Sequence, residues 1–253
     1  MKTIFLFLLS LCFSSFLLAQ QQGTINYLST RTISLEGVDL GEEAMEMISS
    51  MLGENGIQDR ATLQFQGNIS IYKPIVQAEQ TRENGATTVV IRRVGQELQF
   101  YTDWSTKEII YADNIFDQPF LISDQWANID WQLDTEAPTS MDYQLPAKRA
   151  TATLDDGTEI VAWYSEALPL PFGPREYGGL PGIIVHLEEQ AEDGLTTYQI
   201  TSIDLETEVG EIEPPATGRP VDRAKFAELF EERMSKQDGP IMIRREVSTD
   251  GGF

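Results

Sequence analysis

The sequence predicts a mainly β fold of the α+β kind: one domain built on an antiparallel sheet, with two helices packed on it. Three observations carry this. Apolar residues recur at a spacing of two through most of the chain. Asp156-Gly157 and Asp193-Gly194 are turn pairs that tolerate positive φ and join neighbouring antiparallel strands. Helical spacing behind a capping residue occurs after Asp39 and after Asp222.

The first strand follows from Ile25, Tyr27, Ile33 and Leu35, which share one face, with Arg31 the exception. Leu63, Phe65, Ile69 and Ile71 alternate in the same way through Tyr72. Thr87 to Val94 is dense in β-branched residues; Gly95 offers a turn, and Leu98 to Tyr101 returns. Ile109–Ala112, Pro119–Ile122 and Ile129–Leu133 read as further short strands. Around Asp156-Gly157, Ala150, Ala152 and Leu154 face Ile160, Ala162 and Tyr164. Around Asp193-Gly194, Ile183–Leu187 faces Thr196–Ile203.

The first helix is expected after Asp39, with Glu42 closing a capping box and Ala44, Met47, Ile48, Met51 and Leu52 forming its stripe up to Gly53. The second is expected after Asp222. Phe226, Leu229, Phe230 and Met234 form its stripe, and Gly239-Pro240 stops it.

The N-terminus has a different character. One lysine, an apolar run from Ile4 to Leu18 and a small residue, Ala19, before three glutamines form a secretory leader. The run is too short for a comfortable membrane span. Residues 1–19 are therefore expected to be removed, leaving 20–253 as a single domain. Cys12 is the sole cysteine and leaves with the leader. Leu11 before it is large where lipid attachment requires a small residue. The expected compartment is the periplasm, with release outside the cell the alternative and no direct membrane insertion after cleavage.

Forty acidic residues against eighteen basic ones give a formal net charge of −22, or −23 without Lys2. Such a surface repels phosphate backbones and anionic headgroups, which argues against nucleic acid as a partner. Without cysteine, the mature domain has no disulfide and no thiolate metal site, so its stability rests on its core.

One stretch stands apart: Ala162-Trp163-Tyr164, then Pro169-Leu170-Pro171-Phe172-Gly173-Pro174-Arg175-Glu176-Tyr177, then Gly179-Leu180-Pro181-Gly182-Ile183-Ile184. A strand ends in two aromatics, and prolines then fix φ and cannot extend a ladder, so an ordered loop follows, packed under Trp163 or Tyr164. Gly182 is expected to need positive φ, so valine there should destabilise the fold.

These residues resemble the GLPGLI family of exported proteins found in Bacteroidota, with isoleucine at the fifth place of the naming motif. Gly173-Pro174 and the Ala162–Tyr164 run-up are similar too. The resemblance is strong over Ala162–Leu187 and looser over the rest. Family members often carry a cysteine before the aromatic strand; Tyr143–Ala147 has none. A similar domain forms the N-terminal bowl-shaped module of a bacterial peptide-N-glycosidase. The resemblance therefore implies a strongly curved antiparallel sheet, or half-barrel, with the helices against it. It carries over no activity.

Chemical motifs are sparse. His186 is the one histidine, on a strand, expected to face the same side as Ile184. No nucleophile elbow, phosphate loop or dinucleotide glycine pattern occurs, and no cofactor or metal is implied. Among 40 carboxylates close pairs are expected by chance; Glu188-Glu189 and Glu231-Glu232 read as solvated faces. The four tryptophans are either core or a recognition surface on a concave sheet. Trp163, Tyr164, Gly173, Pro174, Gly179, Leu180, Pro181 and Gly182 are expected to serve the fold. Trp163, Tyr164, Arg175 and Tyr177 are the candidate ligand contacts, with Arg175 also placed to pair with Glu176. No catalytic residue is assigned. The expectation is a non-catalytic exported binding or accessory protein of the envelope, with a peptide, lipid, glycan or envelope protein as partner. A carboxylate-based hydrolase and a structural envelope component are the alternatives.

Overall fold

The structure, a computed structural model, describes residues 21–34, 56–75, 81–84, 87–90, 98–115, 118–126, 129–136, 138–141, 143–191 and 194–235. Among them lie β1 (Gln22–Ile33), β2 (Ile57–Gln66), β3 (Ile69–Pro74), β4 (Thr81–Asn84), β5 (Thr87–Val90), β6 (Phe100–Asp103) and β7 (Glu108–Ile115). Then come β8 (Gln118–Gln125), β9 (Gln132–Leu133), β10 (Lys148–Thr153), β11 (Glu159–Ser165), β12 (Ile183–Ala191), β13 (Gly194–Asp204), β14 (Arg219–Asp222) and α1 (Arg223–Ser235). The leader and the helix expected after Asp39 lie outside the described residues.

Twelve strands form one sheet in the order β14-β8-β7-β6-β3-β2-β1-β13-β12-β11-β10-β9. Its curvature follows from chain length. In that order β8 stands second and β9 last, ten spacings apart, about 48 Å in a flat sheet. Yet Gln132 follows Gln125 by only seven residue steps, which reach about 25 Å at most. The sheet must curl until its two ends approach. The register shifts opposite Asn26/Tyr27 and opposite Trp163/Tyr164, where Thr201 of β13 and Val185 of β12 are the extra residues; such bulges bend and twist a sheet locally.

The inner face carries the core. One cross-strand row runs Ile122, Tyr111, Phe100, Tyr72, Leu63, Ile25 across six neighbouring strands. Phe100 stacks on Tyr111 with centroids 5.2 Å apart, and Tyr27 meets Tyr72 at 6.0 Å. Burial of such rings supplies most of the stabilisation that a disulfide-free domain requires.

Pairing is antiparallel except for β14, which lies parallel to β8 at the sheet's edge. From it α1 departs, capped by Asp222, whose Oδ1 accepts the Lys225 N–H at 2.7 Å. Phe226 meets Phe120 edge-on at 5.6 Å, and Leu229 also packs on the core.

Several expectations change. Of the second helix's predicted stripe, Phe230 is 46% exposed, because α1 packs mainly on β8 and β14 at the sheet edge. Met234 lies in α1, but its side chain is outside the described set. Thr87–Val90 does not pair with the Leu98–Tyr101 segment. It pairs with Thr81–Asn84 in a separate two-stranded sheet, and β6 lies between β3 and β7. The strand expected at Ile129–Leu133 is reduced to Gln132–Leu133.

Gly182 does not have positive φ; Gly179 does, at 87°. What Gly182 requires is space, since a Cβ there would overlap the Ser165 carbonyl. Gly182→Ala, and Gly182→Val more so, is expected to lower stability by about 1–3 kcal/mol. That is a fall in melting temperature of several degrees. Gly210→Ala, where an added Cβ meets nothing within 4 Å, serves as the control. A Gly182→Ala melt no lower than the control's would remove the close approach as the reason for glycine.

Candidate functional site

The segment between β11 and β12 fills the concavity. Leu168, Leu170, Phe172, Tyr177 and Leu180 are all buried against the inner face. The Ile183 N–H donates to the Leu168 carbonyl (3.0 Å), Ile184 to Phe172 (3.1 Å) and Gly179 to Pro171 (2.8 Å). Phe172 packs against Phe65 of β2, and the Tyr27 hydroxyl donates to the Ile184 carbonyl at 2.6 Å. With four of its positions occupied by prolines that have no N–H to satisfy, this segment is buried at low polar cost.

Two tryptophans beyond β8 hold the loop in place. Trp126 Nε1–H donates to the Glu176 carbonyl at 2.7 Å and Trp131 Nε1–H to the Gly178 carbonyl at 2.9 Å. The Trp126 ring lies where a side chain on Gly178 would project. Trp104 meets Trp126 edge-on at 4.3 Å, and the Lys107 ammonium sits 2.9 Å from the Trp104 centroid. The loop is therefore packed under Trp126 and Trp131, not under Trp163 or Tyr164 as the sequence led one to expect. Three of the four tryptophans hold backbone or one another.

Trp163 and Tyr164 are consecutive on β11 and part company. Tyr164 is buried in the core. Trp163 is half-buried beside His186, centroids 5.0 Å apart, and Tyr143 stacks on His186 at 5.3 Å. His186 Nε2 lies 3.2 Å from Glu188 Oε1. Ile184 does not share the histidine's surroundings. The bulge interrupts the alternation and buries Ile183, Ile184 and Val185 together.

Midway along the loop, the apolar contacts give way to a polar cluster centred on Arg175. Its backbone is left-handed, φ 51°, an arrangement that costs energy for a non-glycine residue. Its Nε lies 3.2 Å from Glu176 Oε2, and its Nη1–H donates to the Tyr198 hydroxyl at 3.3 Å. The guanidinium lies over the Phe100 ring at 5.3 Å. Glu189 completes the group, close enough for its charge to act on Arg175. Arg175 Nε, Glu176 Oε2 and Glu189 Oε2 are buried atoms without an aligned hydrogen bond, an uncommon condition in folded proteins.

Electrostatics mark the same place. Burial raises the Glu189 carboxyl above its ordinary value, against the pull of Arg175. Burial raises Asp113 as well, opposed by its hydrogen bond with Asn114 and more weakly by Arg175. Glu176 holds the Arg175 guanidinium well above its usual value despite burial. Clusters of shifted groups at one spot are a mark of functional sites.

Of the four candidate contacts, the structure brings Arg175 and Tyr177 together and leaves Trp163 and Tyr164 elsewhere. Glu189, expected on a solvated face, is drawn inward: it follows Val185 and Leu187 on the inner face of β12. That alternation was visible in the sequence, and a charge continuing an apolar face was the available signal. Tyr198 is placed by pairing with Leu187, which only the register reveals. Among the described residues, no group of three His, Cys, Asp or Glu is arranged to hold a metal ion.

Residues 124–186 match a family described as "Protein of unknown function (Porph_ging)". The resemblance to the GLPGLI type is thereby shown over that span. No curated protein matches the chain. A solved structure of PNGF-II in a P21 space group is similar at 12% identity, with a TM-score of 0.51, covering 84% of this chain and 33% of that one. A second PNGF-II structure, in a C2 space group, aligns at 11% identity and a TM-score of 0.49, over 83% and 33%. The first likeness shows a shared mainly β fold with a large open curved sheet. The present chain spans a third of the PNGF-II chain.

Two outcomes test the site's construction. Trp126→Phe keeps a ring but removes the donor to Glu176, and is expected to cost about 1–2 kcal/mol, read by chemical denaturation. For Glu189 the sign is set by its upward shift: the folded state holds the proton more tightly than the unfolded chain. Its contribution to stability is thus present at acid pH and declines as pH rises past the ordinary carboxylate range, near 4.5. Glu189→Gln should flatten that decline, raising stability relative to the parent at neutral pH and not at pH 4. Parallel curves for the two proteins would show that Glu189 is not held in a desolvated seat.

Proposed function

We propose that this chain is an exported, non-catalytic binding protein of the cell envelope, with its ligand seat at the Arg175 cluster. The observation that carries the reading is Arg175 itself. A charged residue is held in a left-handed backbone, at the mouth of an apolar interior, beside polar atoms that lack aligned partners. The loop bearing it is fixed by two indole donors and a buried apolar underside. A group so pre-positioned loses little freedom on binding, which favours recognition. The leader pattern supports export, with the periplasm first and the exterior second. The ligand belongs to the peptide, lipid or glycan constituents of the envelope.

Native mass spectrometry of the protein drawn from its own envelope is the test. A retained mass is expected on the parent chain and should be absent from Arg175→Ala. Retention by both, or by neither, would overturn the proposed seat.

A second reading has one specific observation in its favour. Glu189 is held toward its protonated form by burial, and the charge of Glu176, the partner of Arg175, acts in the same direction. A protonated acid near a second carboxylate is the equipment of glycoside cleavage. On this reading, turnover of labelled envelope glycans is expected and is abolished by Glu189→Gln. Turnover surviving that change would exclude Glu189 as the acid.

A further inference from the structure

We infer that the middle of the loop, Pro174 to Gly179, is a catch closed by acid: it holds while Glu189 carries its proton and parts from the sheet when that carboxyl is ionised. The catch belongs to the bare chain and stands whether or not a ligand binds there.

Register places the groups involved. Glu189 of β12 lies opposite Ile160 of β11 and Thr196 of β13, and Thr196 lies opposite Arg31 of β1. These residues form one row on the inner face. In the next row Leu187, Tyr198, Ser29 and Asp59 follow one another. Arg31, the exception to the first strand's apolar face, therefore belongs to a polar end of that face. The loop lies against this end. Arg175 is paired with Glu176 at 3.2 Å and donates to the Tyr198 hydroxyl at 3.3 Å. Tyr177 meets Tyr198 with ring centroids 6.4 Å apart. From the other strands, Tyr72 of β3 and Asp113 of β7 lie within the field of Arg175.

Glu189 is the group in this set that is poorly provided for as an anion. Its Oε2 is buried with no hydrogen-bond partner. The Arg175 charge is already engaged by Glu176, whose own charge repels a second carboxylate. Arg31 attracts it, but from an exposed position. Burial outweighs these attractions and raises the carboxyl above its ordinary value. Asp113 is raised too, but its Oδ1 accepts the Asn114 N–H at 2.6 Å on its own strand. The sign follows. The closed form holds the Glu189 proton more tightly than an open form would, so closure is favoured at acid pH and weakens as pH rises past the ordinary carboxylate range.

Strand β12 is paired on both sides and cannot yield to admit water. The loop can. Tyr177 N–H donates to the Pro174 carbonyl at 3.0 Å and Gly179 N–H to Pro171 at 2.8 Å. The indoles of Trp126 and Trp131 hold the Glu176 and Gly178 carbonyls. Breaking these few bonds releases Arg175 from its left-handed backbone and hydrates Glu189, while the paired strands stay intact. Openings of that size lie well below global unfolding in free energy.

Hydrogen exchange of the full chain, followed by NMR from pH 4 to pH 7 and corrected for the intrinsic rate at each pH, is the test. The Gly179 amide and the Trp126 indole N–H report the catch. The Leu63 amide, in a strand paired on both sides, reports opening of the sheet. Gly179 and Trp126 are expected to be protected about tenfold or more below Leu63 at pH 7. Their protection should fall about tenfold for each unit by which the carboxyl is raised. Glu189→Gln should abolish that fall, and Asp113→Asn should keep it. Protection equal to that of Leu63 at every pH would mean that the loop opens only with the sheet, and would overturn the catch. Lower protection that does not change with pH, or a fall that survives Glu189→Gln, would overturn Glu189 as its trigger. Loss of the fall in Asp113→Asn would do the same. Circular dichroism melts confirm that the variants are folded; should Glu189→Gln not fold, the parent's Gly179, Trp126 and Leu63 profiles decide.

Discussion

The interaction on which the rest depends is the short tie between β8 and β9. Seven residue steps connect strands that would stand about 48 Å apart in a flat sheet. No packing preference could keep that sheet open. Once it curls, its inner face encloses a volume that side chains from one face cannot fill alone, and the long loop before β12 occupies it. The same tie delivers the plug's anchors. Trp126 and Trp131 flank the crossing and donate inward to the carbonyls of Glu176 and Gly178. Closure and filling of the interior are thus secured by neighbouring residues.

This arrangement explains why the motif consists of glycine and proline. At its closest approaches the interior admits a backbone but no side chain. Gly173, Gly178 and Gly182 lie against Ile184, Trp126 and Ser165 respectively, too close for a Cβ. Gly179 alone of the motif's glycines has positive φ. The prolines reduce the donors that burial would leave unsatisfied. A concave sheet that invites a ligand along its whole surface is therefore not what this chain presents. The surface is taken by its own loop, and midway along that loop Arg175 and Glu176 come together with Glu189 of β12.

Much of the sheet was legible because its period is local. Alternation marked β1, β2, β7, β8 and β10 to β13, and Asp156-Gly157 marked its hairpin, with Gly157 at φ 86° and Asp156 accepting from the Thr158 N–H at 2.9 Å. Asp222 marked α1. Long-range features left weaker traces. Nothing near Trp126 in sequence points to a carbonyl fifty residues away. Gly182 was recognisable as constrained, but local reasoning supplied the wrong cause, since steric approach of Ser165 is a tertiary fact. β14, short and with a proline at its second position, has little strand character of its own and exists because the edge of β8 offers it partners. Glu189 read as solvent-facing because charge outweighed periodicity in the reading; the alternation of β12 was the better guide.

The placement of β1 also bears on timing. It begins the described chain, yet it lies in the middle of the sheet, flanked by β2 and by β13. The partner on one side arrives some 160 residues later. Until then one edge of β1 lacks its partner, and the interior cannot be enclosed. Contacts of such long separation form slowly. A chain ordered this way builds its local hairpins first and completes its sheet only when β13 joins β1.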